Sequence, residues 1–154
     1  FLNNEMSDFS VGPPMGGVSS ANAIAASKRP RSSMSPTIVF DSDGRPLLVT
    51  GSPGGNSIIA YTTKSILGIL DWGLSAQEAA DFPNIIARGE SVLIEADATG
   101  GASLVEAMTA RGYRVTPSSG ENSGLHLIVV RHDGLEGAAD SRRPGAVGQL
   151  PPAD

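Results

Sequence analysis

The run Thr50-Gly51-Ser52-Pro53-Gly54-Gly55-Asn56 constrains this chain more than any other stretch, because of what stands on either side of it. Before it, Leu47-Leu48-Val49-Thr50 is short, apolar and partly β-branched, follows the turn signal Gly44-Arg45-Pro46, and reads as a buried strand. After it, Ser57 to Trp72 carries Ile58, Ile59, Ile66, Ile69 and Leu70, a pattern compatible with a buried or half-buried helix. Two readings of the turn are open. Glycines in a tight strand-to-helix turn need no ligand to explain them. Alternatively, Gly54 and Gly55 bring backbone N–H groups unshielded by a Cβ to a helix start, where such groups lack intrahelical partners and the helix dipole favours negative charge. That second arrangement is the physical recipe for an oxyanion hole.

A chain of 154 residues is long enough to fold as one domain with a sizeable core. Its net charge of −5, from 11 basic and 16 acidic side chains, argues against non-specific nucleic-acid binding and leaves no polybasic patch for a membrane surface. The only basic cluster, Lys28-Arg29-Pro30-Arg31, fits either a solvated face or an anion contact. There is no cysteine, which excludes disulfides and thiolate metal sites and suits an oxidising compartment. His126 and His132 are the only histidines, and no third clustered ligand accompanies them, so neither a metal nor another cofactor is expected. No apolar run approaches the length of a membrane span, and no signal-peptide pattern is visible. The chain opens at Phe1 with Phe1-Leu2-Asn3-Asn4, which reads like the middle of a fold, so a fragment or processed product is expected.

Along the chain, residues 1–10 read as a short ordered segment and 11–32 as loop, punctuated by Gly-Pro-Pro, Gly-Gly and Ser-Ser. Pro36 to Phe40 and Pro46 to Thr50 form a hairpin across Asp41-Ser42-Asp43-Gly44. Ser75-Ala76-Gln77-Glu78 matches a capping box, so a second helix runs to about Asp81 and ends before Phe82-Pro83. Ser91 to Glu95 is a strand, Leu104 to Arg111 a helix closed by Gly112, and Tyr113 to Thr116 a short strand. Leu125 to Arg131 pairs with Leu135 to Ala139 across His132-Asp133-Gly134, and the tail 145–154 frays. The class is α+β, with two hairpins sandwiching helical segments.

Three segments taken together resemble the small subunit of the γ-glutamyltranspeptidases, members of the N-terminal-nucleophile hydrolase superfamily. They are Leu2-Asn3-Asn4-Glu5-Met6-Ser7-Asp8-Phe9-Ser10, Lys28-Arg29-Pro30-Arg31-Ser32-Ser33-Met34-Ser35-Pro36-Thr37-Ile38-Val39, and Leu48-Val49-Thr50-Gly51-Ser52-Pro53-Gly54-Gly55. Asp71-Trp72-Gly73-Leu74 and Gly137-Ala138-Ala139-Asp140-Ser141-Arg142-Arg143 continue the likeness, which covers nearly the whole chain. It implies the C-terminal portion of an αββα sandwich, with 1–154 falling in the small subunit and 9–31 resembling a short lid loop.

The resemblance implies a role for each motif. Glu5 and Asp8 match residues that bind the α-amino group of a γ-glutamyl substrate, a task that suits acceptors carrying a counter-charge. Ser32 and Ser33 match the serine pair that holds the substrate α-carboxylate, and Gly54 and Gly55 the pair whose N–H groups receive the tetrahedral oxyanion. Losing one such donor costs roughly 3–4 kcal/mol of transition-state stabilisation. Singly, each residue also fits a plain structural part: Asp8 and Ser10 as caps, Ser32 and Ser33 as loop serines, Glu5 as a surface charge. Met6 and Met34 read as core filling.

The family's nucleophile, a threonine that becomes the small subunit's N-terminus on self-cleavage, has no match here, so the chain alone is expected to be inactive. Thr62 and Thr63 sit inside the expected helix and are poor substitutes. Ser7 stands where many members have a second aspartate, Asn56-Ser57 replaces a frequent Ser-Arg, and Asp140-Ser141-Arg142 replaces a common Asp-Pro-Arg. The resemblance further implies cleavage of glutathione or other γ-glutamyl compounds, a large subunit of the same precursor as partner, and a periplasmic or secreted location. Strand edges and faces cut from their partners invite oligomerisation. Retention of Asp8 favours an amino-bearing donor over the glutaryl group of the related cephalosporin acylases. That acylase, and a non-enzymatic binding module, are the rival readings.

Overall fold

The computed structural model describes residues 4–13, 16–119 and 123–149. The chain divides into two units, Phe1–Ser33 and Met34–Asp154. In the first, the helical element among the described residues is a single 3-10 turn, Glu5–Asp8. The Asn4 carbonyl closes it, accepting from the Ser7 N–H at 2.9 Å and the Ser7 hydroxyl at 2.7 Å. An isolated parallel bridge joins Ser10 to Ala23. Leu2 and Asn3, which open the first motif, lie outside the described residues.

In the second unit, β1 (Thr37–Phe40) and β2 (Pro46–Gly51) form the first expected hairpin. Its turn is closed by Asp41, whose Oδ1 accepts from the N–H groups of Arg45 at 2.8 Å and Asp43 at 2.9 Å. β6 (His126–Arg131) and β7 (Gly134–Ala139) form the second hairpin. The hairpins do not sandwich the helices as expected. Instead β2 pairs antiparallel with β6, Leu48 opposite Val129 and Thr50 opposite Leu127, giving one sheet of order β1-β2-β6-β7. Pairing satisfies two strand edges that would otherwise present unpaired N–H and C=O groups.

Helices α1 (Ile58–Leu70) and α2 (Ala76–Asp81) cover one face of this sheet. The core gathers Leu48, Leu127, Val129 and Ala138 from the strands with Tyr61, Ile69, Ala76, Ala79 and Ala80 from the helices. The alanines let α2 lie close to the sheet. Side chains alternate along a strand, so the other face carries Ile38, Val49 and Ile128 opposite one another across three strands. These remain 55%, 39% and 45% exposed, as the expectation of open apolar strand faces requires.

A second sheet holds β3 (Ile85–Arg88), β4 (Ser91–Glu95) and β5 (Val115–Ser118). β3 runs antiparallel to β4, whereas β4 and β5 are parallel and joined by α3 (Gly101–Ala110), the crossover that parallel strands need. β3 was not expected from the sequence, and α3 starts three residues before its expected Leu104. The mixture of helix and strand agrees with the α+β class. At the tail, Val147 sits over Gly137, and residues 150–154 lie outside the described residues. Among the described residues no helix is long and apolar enough to cross a membrane, and no cluster of metal-binding side chains occurs.

Candidate functional site

The glycine pair occupies the connection between β2 and α1, where the structure fixes backbone direction tightly. Thr50 Oγ1 lies 3.0 Å from Ser65 Oγ in the core, and Ser65 donates to the Thr62 carbonyl at 2.8 Å, so the end of β2 is pinned to α1. The Ser52 hydroxyl donates to the Pro53 carbonyl at 2.7 Å and accepts from the Gly124 N–H at 3.1 Å. Gly54 adopts φ +138° and Gly55 φ +55°, conformations that side chains rarely take. A Cβ on Gly54 would also run into the buried ring of Tyr61, whereas Gly55 has open space where its Cβ would stand.

The carbonyls of both glycines are taken up by the start of the helix. The Ser57 N–H donates to the Gly54 carbonyl at 3.1 Å, and the Ile58 N–H to the Gly55 carbonyl. A trans peptide sets its N–H opposite its C=O. The Gly55 N–H is therefore turned away from the helix that claims the Gly54 carbonyl. Two hollows flank the turn: one of about 1260 Å³ bordered by Ser52 and Pro53, another of about 540 Å³ bordered by Asn56. Glycine thus stands where a positive φ, and at Gly54 the nearby Tyr61 ring, require it, and neither glycine lines either hollow.

In the first unit, Glu5 and Asp8 stand at the two ends of one 3-10 turn, both exposed. Residues three apart eclipse in such a turn, so the carboxylates share one side of it. Ser32 and Ser33 follow in a segment without regular secondary structure, Ser32 exposed and Ser33 half-buried. Asn22 links the two motifs, donating from Nδ2 to the Asp8 carbonyl at 2.6 Å and accepting on Oδ1 from the Arg31 N–H at 2.8 Å. Sequence reasoning passed over Asn22, which lies in a loop-like stretch; its one signal is an Asn in a segment of small residues, a type that bonds backbone readily.

A buried ionic cluster also went unread as such. Arg142 meets Glu95 through Nε–Oε1 and Nη2–Oε2, both at 2.7 Å, and Asp140 through Nη1–Oδ1 at 3.0 Å. It also donates to the carbonyls of Ala80, Asp81 and Phe82. Lys64 Nζ joins it, donating to the Ala80 carbonyl at 3.0 Å and the Phe82 carbonyl at 2.7 Å. Burial, with Arg142 nearby, pulls the Lys64 ammonium down to about 8. Burial alone would raise the Asp140 carboxyl, but hydrogen bonds from Arg142, Ser123 and Leu125 outweigh it and hold the group below its usual range. The cluster joins α1, α2, β4 and the segment after β7, and its cations are engaged by the protein itself. The signals available in the sequence were a charge closing the apolar run of β4 and the Asp140-Ser141-Arg142 likeness.

The family model described as Gamma-glutamyltranspeptidase matches residues 1–150. Over 146 residues the chain is 35% identical to the glutathione hydrolase proenzyme of Escherichia coli K12, covering 92% of this chain and 25% of that protein. It is 31% identical over 144 residues to the Acylase ACY 1 proenzyme of Pseudomonas sp. V22, covering 93% of this chain and 24% of that one. The chain spans about a quarter of the length of these curated relatives. Among solved structures, a γ-glutamyltranspeptidase from Pseudomonas nitroreducens complexed with L-DON superposes with a TM-score of 0.76 at 32% identity, covering 97% of this chain and 81% of that chain. By these matches the chain belongs to the γ-glutamyltranspeptidase family.

Proposed function

We propose that this chain supplies the donor-recognition and oxyanion-stabilising groups of an enzyme that cleaves γ-glutamyl amide bonds. Glu5 and Asp8 accept the donor's α-ammonium, Ser32 and Ser33 donate to its α-carboxylate, and the N–H groups of Gly54 and Gly55 receive the oxyanion. The observation that carries this reading is the carboxylate pair on one 3-10 turn, a receptor for an ammonium that a glutaryl group would not need.

In the reaction, a threonine hydroxyl contributed from outside these residues attacks the γ-carbonyl and gives up its proton to a base. The tetrahedral intermediate collapses to a γ-glutamyl ester, and the leaving amine takes that proton. Water or an acceptor amine then attacks the ester, releasing glutamate or a new γ-glutamyl amide and restoring the hydroxyl. Glutathione is the proposed kind of donor, and no cofactor takes part. The large subunit of the same precursor is the proposed partner, in a periplasmic or secreted enzyme.

The test is a side-by-side assay of the full-length protein on γ-glutamyl and glutaryl anilides, with and without Asp8→Asn. Hydrolysis of the γ-glutamyl donor that Asp8→Asn weakens far more than glutaryl hydrolysis supports the reading. Equal losses on both, or a wild-type preference for the glutaryl donor, would transfer the assignment to a glutaryl acylase. No turnover of either by a processed protein would favour a binding module.

A further inference from the structure

The ammonium and carboxylate of an amino-acid head lie a fixed distance apart, so a receptor for both must hold its acidic and hydroxyl halves at a matching separation. We infer that Asn22 is the positioning residue that sets this separation. The inference rests on the γ-glutamyl reading above. Asn22 is half-buried, and its amide is used at both ends: Nδ2 donates to the carbonyl of Asp8 at 2.6 Å, and Oδ1 accepts from the backbone of Arg31 at 2.8 Å. One planar amide thereby ties the residue that closes the carboxylate turn to the residue directly preceding Ser32.

Asn22 is itself held against movement. Its carbonyl accepts from the Ser10 N–H at 3.0 Å, and its N–H donates to the Ser20 hydroxyl at 3.1 Å. Ser20 in turn donates to Ser10 Oγ at 3.1 Å. The backbone bridge between Ser10 and Ala23 lies alongside. A segment with few regular elements thus has its two recognition motifs fixed relative to each other by one side chain. Such second-layer support keeps a binding constellation within the tolerance its ligand demands.

Asn22 touches no substrate itself and acts through Asp8 and Ser32. Asn22→Asp is nearly isosteric, keeps the acceptor for the Arg31 N–H and loses the donor to the Asp8 carbonyl; Asn22→Ala removes both. In the full-length enzyme, with a γ-glutamyl anilide as donor, each variant is expected to raise KM about tenfold or more while kcat stays within about threefold, the pattern of lost head-group binding. Combined with Asp8→Asn, Asn22→Ala should add less than about a twofold further rise, because groups acting as one unit do not add.

Unchanged KM in both variants overturns the inference, as do effects that multiply with that of Asp8→Asn or fall mainly on kcat. If Asn22→Ala does not fold, Asn22→Asp carries the test; failure of both to fold overturns it in favour of a scaffold role. If Asp8→Asn itself leaves the γ-glutamyl KM unchanged, the donor reading fails first. That result is distinguishable, because it appears with Asn22 intact.

Discussion

Arg142 and Glu95, 47 positions apart, face each other as a fork on a fork: two parallel hydrogen bonds of 2.7 Å between side chains that are 11% and 6% exposed. Such a pair adds little over an apolar replacement of both partners but a great deal over the loss of one, which strands a buried charge. Arg142→Lys, which cannot form the fork, and Glu95→Gln, which removes the charge, should each destabilise the full-length protein by about 3–5 kcal/mol. Denaturant midpoints check this, and a loss under about 1 kcal/mol would contradict it.

Lys64 gives the fold a dependence on alkaline pH. Its ammonium loses its proton near 8 in the folded chain, against an ordinary value of 10.5. Between those values the unfolded chain holds a proton that the folded one has shed, so stability rises with pH there; below about 8 both states are protonated and the contribution is flat. The rise attributable to Lys64 is at most about 3 kcal/mol. Unfolding free energies of wild type and Lys64→Met, measured from pH 7 to 10.5, should diverge with this sign, and parallel curves would refute it.

The two glycines of the turn should respond unequally to alanine. Gly54→Ala puts a methyl group into Tyr61 and forces a side chain onto φ +138°, so it should cost well over the roughly 1–3 kcal/mol of strain alone. Gly55→Ala meets open space and a left-handed φ of +55°, a cost of about 1–2 kcal/mol. Thermal melts of the two variants decide it; equal losses would mean that the Tyr61 contact does not govern the turn.

Ser75 and Glu78 form a reciprocal capping box at the start of α2: the Ser75 hydroxyl accepts from the Glu78 N–H at 3.3 Å and Glu78 Oε2 accepts from the Ser75 N–H at 2.9 Å. Ser75→Ala should therefore lower stability by about 1 kcal/mol. Chemical denaturation of the variant provides the measurement.

What could be read in advance was what is local. Asp41 to Gly44 and His132 to Gly134 announce their hairpins through turn chemistry, and Ser75 and Glu78 announce a helix start through their spacing. β3 could not be read this way, because Ile85-Ile86-Ala87-Arg88 lies between Pro83 and Gly89 and becomes a strand only by pairing with β4. Thr99-Gly100-Gly101 reads as loop punctuation, yet α3 begins at Gly101. The merging of two hairpins depends on Leu48 meeting Val129, a contact across 81 positions that no window of sequence contains. In the candidate site, Glu5 and Asp8 stood out through the family resemblance of their motif, and Gly54 and Gly55 by backbone need as well. Asn22 and Lys64 did not, because their worth lies in backbone groups remote along the chain.

The carbonyl of Ala80 receives Lys64 from one side and Arg142 from the other, at 3.0 and 3.1 Å. A helix of six residues would fray continually if free, since isolated helices shorter than about 12–15 residues are marginal in water. With its last turn clamped by two cations, α2 has no independent way to open. Deuterium should therefore enter at Ala79 and Phe82, whose amides bond back to Ser75 and Glu78, only when the surrounding structure comes apart as a whole. The shortest α-helix among the described residues then becomes one of the slowest places to exchange.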